Sequence, residues 1–302
     1  MKNNSTKVVL ITGTSSGFGM LTAARLAAGG HRVFATMRDL NKKETLLAEV
    51  KKRGGTVQIL QLDVTKPDSI KLAVEKIVKQ CGTIDILVNN AGYGIGGFFE
   101  DLTDEEIRRQ FEVNFFGVQN VTRVVIPVMR DAFLNSRPGT GIEERRASHR
   151  AKIINISSIA GLHASPAFSA YNASKWALEA FSESLYYELK FFGIDVLLIE
   201  PGTYPTKIFY DNARYAKNFS NPESPYYSIS QFLAKKVRSY VDSSRKDPET
   251  IARLVEKLIH ARNPAFRNIP DIEARTLYYL RKIIPFRMYS WMVRKMLFTG
   301  LQ

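Results

Sequence analysis

The chain has 302 residues, of which 45% are hydrophobic and 24% charged, a composition typical of a globular protein and not of a disordered one. Its net charge of +14 favours anionic partners, such as a phosphorylated cofactor or lipid headgroups. The basic residues are scattered, without zinc-ligand spacing, a basic zipper or a recognition-helix pattern. These absences argue against nucleic acid as a partner and against a metal site.

Three features of the sequence bear on localisation. The first residues, MKNNSTKVVLITG, lack the apolar core of a signal peptide. No apolar stretch reaches the roughly 18 residues that suggest a membrane span. Cys81 is the only cysteine, which excludes an intramolecular disulfide and suits a reducing compartment. We therefore expect a cytoplasmic protein.

Short apolar segments alternate with helical patterns along most of the chain. Strands are predicted at 7–12, 32–37, 56–64, 84–92, 152–157 and 194–200, with a seventh at 265–270. The intervening segments carry helix signals, including Pro67 in a first turn and Thr103 with Glu106 in a capping box. One long helix is expected over 103–133. This alternation predicts an α/β domain over 1–270, whose parallel sheet of about seven strands is covered by helices on both faces.

Residues 131–150 are predicted to be an insertion. A connection from helix to strand in an α/β unit usually has about 2–6 residues, and this one is far longer. It enters a strand at its N-terminal end, whereas ligands bind at the C-terminal ends of such strands. We therefore expect no contact between the insertion and the substrate.

The C-terminal extension, 271–302, is predicted to be helical, basic and aromatic. After Glu273 it contains no acidic residue, and its Lys and Arg residues are interleaved with Trp, Tyr, Met and Phe. This composition is typical of an interfacial membrane helix, here over 275–302. The alternative is a helix that packs on its own domain or on a partner subunit.

A glycine-rich turn follows the first strand and opens the first helix. In TGTSSGFG, Gly13 permits a sharp turn, and Gly17 and Gly19 are expected to let the backbone approach a pyrophosphate. Free N–H groups at the start of the helix would face that anion. The sequence therefore predicts a dinucleotide site.

The end of the second strand decides between the two nicotinamide cofactors. A carboxylate at this position binds a ribose hydroxyl and favours NAD. Here Met37 is followed by Arg38, whose guanidinium suits a 2′-phosphate, and Ser16 offers another donor. Asp39 would favour NAD if it stood at the strand tip, but it lies one position further along. We predict NADP(H).

Three Tyr–Lys pairs have a spacing of four residues: Tyr171/Lys175, Tyr186/Lys190 and Tyr278/Lys282. Only the first also has a serine, Ser158, 13 residues earlier, at the end of a predicted strand. This set predicts proton transfer by Tyr171 to a carbonyl oxygen that Ser158 positions. The Lys175 ammonium would lower the pKa of the phenol.

These motifs together resemble the short-chain dehydrogenase/reductase family over about residues 7–262. The motifs are TGTSSGFG, LDV, NNAG, FEVNFFG, YNASK and PGTYPT, in the order of that family. ATMRD and the long C-terminal portion are similar to the branch of 17β-hydroxysteroid and retinol dehydrogenases. The resemblance implies a single Rossmann-type, doubly wound domain, and is compatible with a homo-oligomer.

The resemblance also implies roles for individual residues. Lys175 would bind the nicotinamide ribose, and Asn114 would hold a water in a proton relay, unless it merely caps a break in its helix. Asp63 would contact adenine and Asn90 the middle of the cofactor. The predicted cofactor-binding set is Gly13, Ser15, Ser16, Gly17, Phe18, Gly19, Arg38, Asp63, Val64, Asn90, Tyr171, Lys175, Thr203 and Thr206.

The expected activity is NADP(H)-dependent interconversion of a carbonyl and an alcohol on a small molecule. A lid over 207–235 would cover the substrate, which Ser158 and Tyr171 would bind. The lid aromatics, Phe209, Tyr210, Phe219, Tyr226, Tyr227 and Phe232, suggest a steroid, retinoid or fatty carbonyl. The alternative is an NADP-binding scaffold or redox sensor with little turnover.

Overall fold

The computed structural model describes residues 6–136, 139–141, 144, 150–210 and 212–301. Within them, seven parallel strands form one sheet: β1 (Val8–Ile11), β2 (Arg32–Met37), β3 (Val57–Gln61), β4 (Ile86–Asn89), β6 (Ala151–Ile156), β7 (Ile194–Ile199) and β9 (Arg267–Asn268). Two short strands, β5 (Ile95–Gly96) and β8 (Arg214–Tyr215), pair separately. The spatial order in the large sheet is β3-β2-β1-β4-β6-β7-β9. The predicted doubly wound parallel sheet of about seven strands is confirmed.

Helices cover both faces of the sheet. They are α1 (Gly17–Ala28), α2 (Lys43–Lys52), α3 (Pro67–Cys81), α4 (Asp104–Phe111), α5 (Gly117–Asn135), α6 (Ser169–Glu188), α7 (Tyr227–Ser243), α8 (Glu249–His260), α9 (Ile272–Ile283) and α10 (Phe286–Phe298). On β1, Val9 and Ile11 pack against α1, α2 and α8. Leu10 points to the other face, with α3, α5 and α6. Successive side chains of a strand alternate between faces, so an unbroken apolar strand serves both cores.

The helix predicted over 103–133 is interrupted by a wider turn. Its capping box is present, since the Thr103 hydroxyl accepts from the Glu106 N–H and the Glu106 carboxylate accepts from the Thr103 N–H. Residues Glu112–Phe116 form a π-helical turn between α4 and α5. Such turns are frequent at functional sites, and here the turn carries Asn114.

Two predicted boundaries differ from the structure. Helix α5 continues to Asn135, so the long connection starts after it and not at 131. Residues 137–138, 142–143 and 145–149 of the predicted insertion lie outside the described residues. The lid predicted over 207–235 ends inside α7, which continues to Ser243 because Leu233 and Val241 on it are buried.

Helices α9 and α10 pack on the lid helix and on the loop after β6. The Lys236 ammonium on α7 donates to the carbonyls of Leu297 and Thr299, both at 3.2 Å. The Tyr289 hydroxyl lies 2.5 Å from Nδ1 of His163, and both side chains are buried. Among the described residues, no helix has the length and apolar character needed to cross a bilayer.

The burial of His163 makes stability depend on pH. Burial, and then the Arg281 charge, lowers the pKa of His163 to about 4 from 6.5. Between these values the unfolded chain binds a proton that the folded chain does not. The contribution of His163 to the free energy of unfolding is therefore fully present above pH 6.5, and it is lost as the pH falls toward 4.

We expect His163→Gln, which stays neutral, to remove this dependence. The wild-type free energy of unfolding should fall by up to about 3 kcal/mol more than that of the variant between pH 6.5 and 4. Urea unfolding at a series of pH values measures the difference. Parallel curves for the two proteins would contradict the assignment.

Candidate active site

The carboxyl ends of β1 and β4 border a cleft of about 620 Å³. In the sheet these neighbours mark the point where the strand order reverses, and ligands of doubly wound folds bind in the crevice outside that point. The cleft extends from the glycine turn and the end of β2 to Tyr171 and Lys175 on α6. Most of the predicted cofactor residues, and Tyr171 and Lys175 of the predicted catalytic residues, therefore line one cleft at this edge of the sheet.

The glycine turn suits an anion. Gly13 has φ +71° and Gly17 φ +59°, in the left-handed region that favours glycine. A Cβ on Gly13 would lie 2.7 Å from Cα of Ala91, so a side chain there would collide with the neighbouring turn. The first N–H groups of α1 have no intrahelical acceptor and are available to a pyrophosphate.

Gly19 lies against the side chain of Asn90. A Cβ there would lie 2.3 Å from Nδ2 of Asn90, and Gly19 is absent from the cleft lining. The Asn90 amide donates to the carbonyls of Thr12 at 3.0 Å and Gly13 at 2.9 Å. Gly19 thus makes room for the side chain that holds the turn, and Asn90 both shapes the turn and lines the cleft.

Arg38 and Asp39 both line the far end of the cleft, but they differ in their partners. Arg38 is exposed directly after β2. The Asp39 carboxylate accepts from the Asn41 N–H at 3.0 Å and caps the turn Leu40–Lys42. The side chain of Ser16 does not cap α1. Its hydroxyl instead accepts a hydrogen bond from the side-chain amide of Asn212 at 3.4 Å.

The remaining predicted cofactor residues divide into those in the lining and one outside it. Ser15, Phe18, Asp63, Val64 and Thr206 line the cleft, whereas Thr203 does not. Asp63 Oδ1 accepts from both the N–H and the hydroxyl of Thr65, at 3.0 and 2.8 Å, which fixes the carboxylate at the rim.

Three elements bring Ser158, Tyr171 and Lys175 together. Ser158 follows β6, and its hydroxyl hydrogen-bonds to Tyr171 and accepts from the Ala160 N–H at 3.1 Å. Lys175 donates from Nζ to the Ile156 carbonyl at the end of β6, at 2.9 Å. Its Nζ lies 5.9 Å from the centroid of the Tyr171 ring. The three residues that were grouped by their spacing in the sequence thus lie together, with Ser158 hydrogen-bonded to Tyr171 and Lys175 beside the tyrosine ring.

The pKa of Tyr171 departs from the expectation. Burial raises it, and the hydrogen bond from Ser158 opposes that effect without cancelling it. Burial also lowers the pKa of Lys175 to about 8, against the attraction of Glu179. Since Lys175 is engaged with the Ile156 carbonyl, the protein by itself keeps the phenol protonated at neutral pH.

A buried ionic cluster lies behind Lys175. The Arg267 guanidinium on β9 donates to Glu179 at 2.5 Å and to Glu200 at 2.8 Å. Burial raises the pKa of both carboxyls, to about 7 for Glu200. One guanidinium shared by two buried carboxyl groups ties together α6, the end of β7, and β9.

Asn114 lies in the π turn and is buried. Its amide donates to the Tyr93 carbonyl at 2.8 Å and to the Ser174 hydroxyl at 3.3 Å, and its Oδ1 accepts from the Tyr93 N–H at 3.0 Å. The side chain therefore joins the turn after β4 to helix α6, and does more than cap a break.

An apolar pocket of about 110 Å³ adjoins Tyr171. Gly94, Gly96 and Gly97 line it, as does the lid. Of the six predicted lid aromatics, Phe209 and Phe219 line the pocket. Tyr226 instead stacks on Phe98 with 4.6 Å between ring centroids. Phe168, Tyr215, Leu233, Val237 and Val241 also line the pocket, and none of them was predicted individually from the sequence.

Sequence reasoning also missed polar groups of the cleft. Lys42, Arg109, Lys207, Asn212 and Arg214 line it. Lys42 could have been predicted from the sequence as a cleft residue, because it lies only four residues after Arg38. Arg109 and Arg214 belong to distant segments, and no local pattern marks them.

The chain matches the family described as short chain dehydrogenase over residues 7–215. It belongs to that family.

Curated relatives agree with this assignment. An uncharacterized oxidoreductase of Bacillus subtilis, YusZ, is 38% identical over 97% of the chain and 99% of its own length. A 3-ketodihydrosphingosine reductase of Bacteroides thetaiotaomicron is 37% identical over 86% of each protein. Human retinol dehydrogenase 8 is 33% identical over 92% of the chain and 85% of its own length. The predicted resemblance to retinol dehydrogenases is confirmed.

Solved structures show the same fold with either cofactor. A family member from Burkholderia phymatum in complex with NAD has 26% identity and a TM-score of 0.77, covering 93% of this chain and 95% of its own. A single-residue variant of actinorhodin polyketide ketoreductase with NADPH has 28% identity and a TM-score of 0.68. The match covers 89% of this chain and 97% of the ketoreductase. The chain is therefore an oxidoreductase of the NAD(P)(H)-binding type.

Tyr171→Phe should lower the kcat of carbonyl reduction by about a hundredfold or more, because it removes the proton donor. Binding of the reduced cofactor, followed by fluorescence, should change little. The matched control is Tyr186→Phe, which alters another tyrosine four residues before a lysine on the same helix. Equal activity of the two variants would exclude Tyr171 as the donor.

Proposed function

We propose that the protein is an NADP(H)-dependent oxidoreductase that interconverts a carbonyl and an alcohol on a lipophilic substrate. The observation that carries the proposal is the cluster of Ser158, Tyr171 and Lys175. Tyr171 lines both the large cleft and the apolar pocket, and Lys175 lines the large cleft. A scaffold or redox sensor would have no need of this buried cluster.

Each residue of the cluster has a role in reduction. NADPH, when bound, supplies the hydride. Ser158 would hold the substrate oxygen by a hydrogen bond, and Tyr171 would donate its proton to that oxygen. The raised pKa of Tyr171 keeps that proton available at neutral pH. The charge of Lys175 would stabilise the phenolate that remains.

The cofactor would lie along the cleft. The turn Gly13–Gly17 and the start of α1 would hold the pyrophosphate, with Asn90 fixing the turn. Asp63 and Val64 would border adenine, Thr206 the carboxamide, and Lys175 the ribose. Asn114 would hold a water of a proton relay. Gly19 and Thr203 would act indirectly, since neither lines the cleft.

The basic end of the cleft supports NADP(H) over NAD(H). Arg38 and Lys42 lie there, and Ser16 adds a hydroxyl. The Asp39 carboxylate, which would compete for a ribose hydroxyl, is engaged by the Asn41 N–H. A 2′-phosphate would gain charge-assisted hydrogen bonds from these groups.

Arg38→Ala should weaken NADPH binding by about tenfold and spare NADH, because the lost contact is specific to the 2′-phosphate. Dissociation constants of both cofactors, measured by fluorescence titration, give the result. Lys51→Ala, an exposed lysine on α2, serves as the charge-matched control. Equal weakening of both cofactors by Arg38→Ala would contradict the NADP(H) assignment.

The lining of the small pocket supports a lipophilic substrate. Aliphatic and aromatic side chains, many of them from the lid, form most of its wall, and three glycines also line it. The named substrates of the two characterised relatives, 3-ketodihydrosphingosine and retinol, are also lipophilic.

We further propose that 275–302 attaches the protein to an anionic membrane surface. Tyr289 and Val293 face the protein, whereas Ile283, Phe286 and Trp291 are 76%, 66% and 64% exposed. Exposed Lys and Arg residues lie among them, without any acidic residue after Glu273. A helix with one packed face and one exposed apolar, basic face meets the requirement for binding at a lipid interface.

Trp291→Glu should reduce co-sedimentation with phosphatidylglycerol vesicles by about tenfold, because it places a carboxylate at the apolar face. Leu72→Glu is the matched control, since Leu72 on α3 is 67% exposed. Vesicles of phosphatidylcholine alone should bind the wild type more weakly. Failure of the wild type to sediment, or equal sedimentation of both variants, would refute the proposal.

A further inference from the structure

Arg214 lies at the junction of the two cavities. Its side chain lines the large cleft and also the apolar pocket beside Tyr171. The backbone is held in place, because β8 pairs with β5 in the register Ile95 to Arg214. The Ala216 N–H donates to the Gly96 carbonyl at 2.8 Å and extends this pairing. An exposed arginine is therefore anchored at the mouth of the substrate pocket.

A second guanidinium, that of Arg109 on α4, lines the same large cleft as Arg214 and Tyr93. Burial raises the pKa of the Tyr93 phenol, and the charges of Arg214 and Arg109 both oppose that rise. Cζ of Arg214 lies 5.0 Å from the centroid of the Tyr93 ring. Asn114 and Gln110 hold the main chain of Tyr93. Arg214 thus lies against an aromatic residue whose main chain is held in place, and the charge of Arg109 acts on the same phenol.

The carboxylates that the structure describes form no ion pair with these two guanidinium groups. Within the described part of the chain, neither Arg109 nor Arg214 forms an ion pair, whereas the adjacent Arg108 pairs with Asp104 at 2.6 Å. Glu106 is the acidic group near Tyr93, and its two oxygens accept from the main chain of Thr103 and of Lys217. The mouth therefore keeps a local excess of positive charge.

The small size of the apolar pocket indicates which part of a substrate the two cations would contact. Ligand pockets commonly enclose about 300–1,000 Å³, and this one holds about 110 Å³. It takes part of a substrate, and the remainder must extend past Tyr171 toward the mouth. Arg238, the other cation of the pocket wall, is paired with Asp242 at 3.2 Å and stacks on Tyr210. Arg214 is consequently the cation of the pocket wall that is positioned to contact the rest of the substrate.

We propose that Arg214, assisted by Arg109, binds an anionic group of the substrate. The preferred substrates are then carbonyl compounds with an apolar chain and a carboxylate or a similar anion. A planar guanidinium recognises such a group through two parallel hydrogen bonds. This inference rests on the proposed oxidoreductase function and specifies the substrate of the same site.

The test compares a straight-chain γ-keto acid of medium length with its methyl ester, which differs in charge at one end. With NADPH, the wild type should have a kcat/KM about tenfold higher for the acid. Arg214→Ala should lower kcat/KM for the acid about tenfold and change it less than about twofold for the ester. Arg108→Ala, which removes a neighbouring charge outside the cleft, should leave both values unchanged.

Two binding measurements separate the possible outcomes. Fluorescence titration with NADPH shows whether Arg214→Ala weakens the cofactor, and a tenfold loss there would assign the guanidinium to the cofactor and overturn the inference. Calorimetry of each compound with the NADPH complex reports binding even without turnover. Equal affinity and equal kcat/KM for acid and ester would also overturn it, while reduction of the ester would leave the proposed function intact. Tighter binding of the acid through Arg214 without any turnover would instead support the inference and contradict the proposed function.

Discussion

The site depends on one buried hydrogen bond, from Nζ of Lys175 to the carbonyl of Ile156. This bond ties the first turns of α6 to the end of β6, the strand that Ser158 follows. It therefore sets the distance between the phenol, the serine and the cleft. A buried ammonium is costly unless it is hydrogen-bonded, so α6 has little freedom to rotate. The Arg267 bridge between Glu179 and Glu200 strengthens the same junction from behind.

Without a cofactor, the protein holds the proposed catalytic groups in the state for proton donation and not for proton removal. Burial keeps the phenol of Tyr171 protonated and brings the pKa of Lys175 to about 8. A buried, protonated tyrosine beside a lysine that is still largely charged suits the reductive direction at neutral pH. The apolar pocket, with cations at its mouth, would admit the apolar chain of a substrate to that donor. The charges that line the cleft and the pocket thus agree with the proposed reduction.

The lid and the C-terminal helices are one packed unit over the pocket. Lys236 on α7 holds the carbonyls of Leu297 and Thr299, and Tyr289 reaches His163 in the loop after β6. The helix that lines the substrate pocket therefore also carries the exposed apolar face of α10. Attachment of that face to a surface would place the pocket close to it, where a lipophilic substrate would be concentrated.

The sequence by itself determined the order of strands and helices, the glycine turn, and the group of Ser158, Tyr171 and Lys175. These depend on local chemistry: unbroken apolar strands, a turn that needs glycine, and residues one helical turn apart. Tertiary structure alone decided that Gly19 accommodates Asn90, that Asn114 binds the main chain of Tyr93, and that most lid aromatics lie away from the pocket. It also brought Arg109 and Arg214 together from segments about a hundred residues apart. The physical reason is that contacts across a sheet edge depend on how the strands and helices pack against one another, and the spacing of residues along the chain carries no record of that packing.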